Sequence, residues 1–147
     1  MKALSKAFAF ATVITLMMGG TSVFASRSNP NIYINGEKLD IYANVTYLGT
    51  TLVPMRPIFE KYGMAIEWDN STKTVTASKD NKLIVLTNNS YDAFLNGEKV
   101  VLNQAPSLEP TSNIFYVNLR FISEALGASV TWDKTANDAT ININFAK

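Results

Sequence analysis

Alternating apolar and polar positions recur along most of this chain, and twice they give way to a short stretch with helical spacing. Ile32-Tyr33-Ile34 and Lys38-Leu39-Asp40-Ile41 flank Asn35-Gly36. Asn-Gly suits two successive residues at positive φ, so the segment predicts a two-residue hairpin. Ala93-Phe94-Leu95, Asn96-Gly97 and Lys99-Val100-Val101-Leu102 repeat that grammar. Thr51-Leu52-Val53-Pro54 predicts an extended piece leading into a helix of about two turns near Met55 to Tyr62, where Met55, Ile58, Phe59 and Tyr62 make one apolar face. Pro57 fits only the first turn, where its missing N–H costs little. Gly63 supplies a residue able to turn left-handed and stop the helix. The second helix places Leu119, Ile122, Ala125 and Leu126 on one face, with Asn118 as a cap and Gly127 as the stop. After each glycine a strand begins, Ala65–Asp69 and Ser129–Asp133. Polar turns follow, at Asn70-Ser71-Thr72 and at residues 134–137, then the period-two segments Thr74–Ala77 and Ala139–Phe145. Lys82 to Thr87 is apolar on both faces and predicts a central strand.

The two helical stretches are one pattern written twice. At a fixed offset of 64 residues, Val53 matches Val117, Arg56 matches Arg120, and Ile58 matches Ile122. Gly63 likewise matches Gly127, Trp68 matches Trp132, and Asp69 matches Asp133. Such self-similarity defines the structural unit. It predicts one domain of two intertwined copies, about residues 31–80 and 92–145, each a hairpin, strand, short helix and hairpin. The expected class is α+β, a twisted antiparallel β-sheet packed on two short helices. No linker rich in Gly, Pro or Ser separates the halves.

The first 25 residues read as an address rather than as fold. Lys2 and Lys6 precede an apolar run from Ala7 to Met18, which Gly19 and Gly20 end too early for a membrane span. Val23-Phe24-Ala25 predicts cleavage after Ala25, giving a signal peptide over 1–25 and a mature, exported domain over 26–147. No other long apolar run is present, so no membrane association is expected after cleavage. Losing the two lysines takes the formal net charge from +1 to −1. Without a basic cluster to release counterions, nucleic acid is not an expected partner.

The chain has neither cysteine nor histidine. No disulfide framework is available, so an exported domain of this size must rest on its core alone. The same absences remove the usual ligands of zinc, copper, haem and iron–sulfur centres, and Ser-His-Asp and Cys-His catalysis. No metal, cofactor or catalytic residue is expected. Glycoside hydrolysis needs only two carboxylates, and Glu60, Glu67, Glu98, Glu109 and Glu124 are available, but none sits in a recognisable motif. No Asp-rich loop with calcium spacing occurs.

The repeated polar and aromatic positions are the site candidates: Arg56, Arg120, Trp68, Trp132, Asp69 and Asp133. One reading is a paired anion or sugar site, with the tryptophans as stacking platforms. The other is structural, with each Arg tying its helix to the Asp of a Trp-Asp strand or to strand carbonyls. Retention in both copies favours the structural reading, because ligand sites are more often asymmetric. Tyr33, Tyr42, Tyr47, Tyr91 and Tyr116 add a compositional hint of a recognition surface.

The string Tyr116-Val117-Asn118-Leu119-Arg120-Phe121-Ile122-Ser123-Glu124-Ala125-Leu126-Gly127-Ala128, followed by Val130-Thr131-Trp132-Asp133, resembles the copper amine oxidase N-terminal-like domain, or stalk domain. Members usually read Val-Pro-Leu-Arg, two apolar residues, Glu-Ala-Leu-Gly-Ala and a Trp-Asp strand. Val53-Pro54-Met55-Arg56 and Gly63 follow that pattern, whereas Asn118 replaces the usual proline. The likeness covers roughly residues 31–145. It implies an appended, non-catalytic module; copper and the tyrosine-derived quinone belong to a different domain. Related modules occur in exported proteins of spore-forming and other Gram-positive bacteria. The expected role is therefore structural or protein-interacting at the cell envelope. The rival is a carbohydrate-binding module that uses exposed aromatics on a cell-wall polymer, and the burial of the tryptophans separates the two.

Overall fold

The computed structural model describes residues 29–135 and 138–146. The expected signal peptide lies outside the described residues, as does part of the 134–137 turn. The first hairpin joins β1 (Asn31–Ile34) to β2 (Glu37–Tyr42). Asn35 and Gly36 have φ of 49° and 82°, as a type I′ connection needs. Short β3 (Asn44–Val45) precedes β4 (Thr51–Pro54), which runs straight into helix α1 (Met55–Tyr62). Then come β5 (Ala65–Asp69), β6 (Thr74–Lys79), β7 (Lys82–Thr87), β8 (Asp92–Leu95) and β9 (Glu98–Val101). The rest of the chain forms β10 (Ser107–Leu108), β11 (Phe115–Asn118), α2 (Leu119–Leu126), β12 (Ser129–Lys134) and β13 (Ala139–Asn144). The class is α+β, as the alternation and the two helical stretches predict.

Both helices begin and end where the sequence places them. The Asn118 side chain accepts a hydrogen bond from Phe121 N–H at 3.2 Å, whereas Pro54 gives α1 no side-chain cap. Gly63 and Gly127 take φ of 84° and 65°. Beyond them, Met64 N–H reaches the Phe59 carbonyl and Ala128 N–H the Ser123 carbonyl, each at 2.9 Å. This is the Schellman arrangement, which satisfies carbonyls that the helix end leaves free.

The strands differ from the expected single antiparallel sheet. They form three sheets, ordered β12-β13-β1-β2, β10-β11-β4-β3 and β5-β6-β7-β8-β9. The pairing of β1 with β13 is parallel, Ile32 opposite Ile141 and Ile34 opposite Ile143. Alternation along a strand fixes which residues face the core, but not which distant strand lies alongside or in what direction. β7 is central in its sheet as expected, but only Ile84 and Leu86 on one face are buried.

The middle sheet joins the two helical regions. β4 and β11 pair antiparallel, with Val53 opposite Val117, Leu52 opposite Asn118 and Pro54 opposite Tyr116. α1 packs on β5 and β11, and α2 packs on β4 and β11. The core formed around this pair includes Val53, Val117, Ile58, Phe59 and Ile122, and it extends to Ile32, Ile34, Ile141 and Ile143. No buried side-chain polar atom lacks a hydrogen-bond partner among the described residues, as native cores require.

Candidate functional site

The two arginines do not tie helix to sheet. Arg56 follows buried Met55 and points out of the apolar face that Met55, Ile58 and Phe59 make. Its only ion pair among the described residues is with Glu60, at 3.6 Å one turn along the same helix. Both groups are well exposed, so the pair contributes little. Arg120 is exposed at the start of α2 and makes no ion pair or side-chain hydrogen bond among the described residues. The structural reading of the arginines is therefore corrected in both halves.

The two aspartates act within their own hairpins instead. Asp69 Oδ1 accepts hydrogen bonds from Ser71 N–H at 2.8 Å and from Ser71 Oγ at 2.6 Å. This is an Asx-type turn between β5 and β6. The Ser71 hydroxyl, then the Ser71 and Thr72 N–H groups, hold the Asp69 carboxyl below the usual aspartate range. A depressed folded pKa gives a contribution that is present above the unfolded value and lost as pH falls through the folded one. Ser71→Ala is expected to move the Asp69 carboxyl pKa upward, read by an NMR titration of its carboxyl carbon; an unmoved midpoint would show that the turn does not set it. Asp133 Oδ2 accepts from Asn142 Nδ2 across the strand pair at 2.9 Å.

The tryptophans part company. Trp68 is half-buried, and its ring meets Phe115 edge to face at 5.4 Å and 63°. Trp132 is 44% exposed. Their surroundings explain the difference. Beside α1, a cleft of about 400 Å³ is lined by Arg56, Trp68, Leu108, Ile114 and Phe115. Beside α2, a cleft of about 690 Å³ is lined by Leu48, Thr51, Asn103, Arg120, Glu124 and Trp132. At the 64-residue offset, Thr50 and Thr51 stand where the other half has Ile114 and Phe115. A phenyl ring packs against Trp68, whereas the corresponding position beside Trp132 carries only a hydroxyl and a methyl.

Sequence reasoning missed Asn103 and Leu48, which follow no motif. Leu48 is 83% exposed on the turn between β3 and β4, next to Tyr47 at 87%. Asn118 Nδ2 donates to Asn103 Oδ1, which leaves the Asn103 amide hydrogens directed elsewhere. Of the tyrosines, Tyr42, Tyr47 and Tyr91 are exposed and Tyr33 and Tyr116 half-buried. Burial, and secondarily the negative charge of Glu109, push the Tyr116 hydroxyl above its usual range. The larger cleft has one carboxylate, Glu124, where the two-carboxylate hydrolytic mechanism needs a pair.

Residues 33–141 match a family model described as the copper amine oxidase N-terminal domain. The chain belongs to this family. Membership places the chain with a non-catalytic part of the amine oxidases. No curated protein matches the chain. The copper of the family's name does not fit these residues. The chain has no histidine or cysteine, and no group of three or more acidic residues could hold a metal ion among the described residues. No helix among the described residues is long and apolar enough to cross a membrane.

Proposed function

We propose that the chain is a secreted, non-enzymatic stalk-type domain that serves as a structural or interaction module at the cell envelope. The signal peptide over 1–25 would send the domain of 26–147 out of the cell. The domain is read as two copies of a hairpin-strand-helix-hairpin unit. Supporting this, the helices start 64 residues apart, and Val53 and Val117, corresponding residues, lie opposite each other in an antiparallel pair. Corresponding strands meeting in this way are what a local twofold relation produces.

The observation that carries the interaction role is the larger cleft, where Arg120 stands unpaired among the described residues beside the exposed Trp132. A long cationic side chain and a large indole left in water are common anchors of recognition surfaces. The exposed indole also favours a wall polymer as the partner over a surface protein. The test begins with fractionation of cells making the full chain. Protein from the medium or the wall should begin at Ser26 and should be retained on purified wall fragments. An intact Met1 in the membrane fraction, or passage through wall fragments without retention, would overturn the reading.

A further inference from the structure

We infer that the cleft beside α2 is a binding site for a neutral, pyranose-based oligosaccharide, with one such site per chain. The inference rests on the reading of the chain as an envelope interaction module and names the chemistry of its contact.

The groups around the cleft match what a sugar ring offers. One face of a pyranose in a β-linked chain presents axial C–H groups, which are apolar and slightly positive. The indole face of Trp132 is apolar and slightly negative, and the residue is 44% exposed at the cleft. Ring hydroxyls need both donors and acceptors at short range. Arg120 supplies a planar fork of donors that can span adjacent hydroxyl oxygens. Glu124 supplies carboxylate oxygens as acceptors. Asn103 keeps its amide hydrogens as donors, because its oxygen is taken by Asn118. Asn118 is itself fixed, since its oxygen caps α2 through Phe121 N–H. The Asn103 amide is thus held at the cleft by the helix cap. A pocket with one large ring and a few directed polar groups has the usual composition of a small-molecule site, and about 690 Å³ lies within the usual size range.

The same residues discriminate among ligand classes. A phosphate-rich polymer calls for clustered cations, whereas the lining holds a single cation, Arg120, and a single anion, Glu124. A neutral glycan needs no such cluster.

The one-site stoichiometry follows from the threonine-for-aromatic exchange. The corresponding indole, Trp68, already has Phe115 against it. Thr51 is therefore the residue that keeps the α2 cleft open, and Thr51→Phe should fill it.

The experiment uses calorimetric titration of the full secreted chain with soluble N-acetylglucosamine and glucose oligosaccharides. Saturable binding of one oligosaccharide per chain is expected for at least one of the two series. Trp132→Ala and Thr51→Phe should each weaken it about tenfold or more, roughly 1.4 kcal/mol. Trp68→Phe should leave it unchanged. Trp132 is exposed, so Trp132→Ala should keep the parent melting temperature and isolate the loss of contact from a loss of fold. Two results would overturn the site: no saturable binding of either neutral series, or tighter binding of an anionic polysaccharide. Retention on wall fragments separates the two levels. If the chain binds no oligosaccharide but is held on wall through a contact that protease treatment of the wall abolishes, the partner is a protein. The envelope reading then stands without the glycan site. If neither oligosaccharide nor wall retains it, both fall.

Discussion

Phe59→Ala should destabilise the domain by about 3–5 kcal/mol, the range for deleting a large buried aromatic side chain. Phe59 is fully buried, at 0% exposure, and lies in the core around the β4–β11 pair, with Ile58 beside it on the face of α1. Removing the ring loses its transfer free energy and leaves a cavity that two short helices and three sheets cannot easily close. A domain of this size holds about 5–15 kcal/mol in all, and no disulfide limits the unfolded chain. The substitution should therefore remove a large part of the total, lowering both the urea midpoint and the melting temperature. The corresponding residue of α2 is Ser123, whose hydroxyl donates to the Leu119 carbonyl at 2.6 Å. Ser123→Ala gives up only that local bond and should change stability by less than about 1 kcal/mol. A Phe59→Ala protein melting with the parent would show that α1 does not pack as described.

Gly127→Val is the second large effect, and its cause is different. Gly127 sits at φ 65°, and a Cβ built there meets nothing within 4 Å. No collision contributes, so the cost is conformational. A β-branched residue in the left-handed region is strained by roughly 1–2 kcal/mol or more. The turn cannot relax without losing the hydrogen bond from Ala128 N–H to the Ser123 carbonyl. Gly127→Asn should cost less, because asparagine tolerates this conformation. Glu124→Gln, at an exposed position on the same helix, should stay within about 0.5 kcal/mol. Thermal melts of the three variants should rank them in that order. Equal melting temperatures for Gly127→Val and Glu124→Gln would mean that the helix stop does not hold the turn into β12.

These two residues mark what was legible in the sequence. The helices, their glycine stops and the Asn-Gly hairpins follow from local rules that act within a few residues, and the structure has them at the expected positions. The parallel pairing of β1 with β13 joins residues more than a hundred positions apart, and local alternation carries no record of it. The misplaced arginine–aspartate ties have a similar origin. Matching spacing in two halves showed that the residues correspond, but not which side of the helix faces the sheet. Asp69 was instead taken by the hydroxyl two residues on, a short-range competitor that the polar turn Asn70-Ser71-Thr72 already displayed. The asymmetry of the tryptophans was written in the sequence as Thr51 against Phe115. It became readable only once α1 and α2 were seen packed around the β4–β11 pair, which brings Phe115 of one half against Trp68 of the other.

The difference between the two indoles also provides the most direct test. Trp68 and Trp132 are the only tryptophans in the chain, so an isotope-labelled sample shows two indole N–H signals, assignable with Trp68→Phe. Solubilised wall glycan is added and both signals are followed. The Trp132 signal should move progressively and saturate while the Trp68 signal, with its ring held against Phe115, stays in place. Movement of the Trp68 signal alone, or no movement of either while the chain remains bound to wall, would contradict the assignment of the contact to the open cleft beside α2.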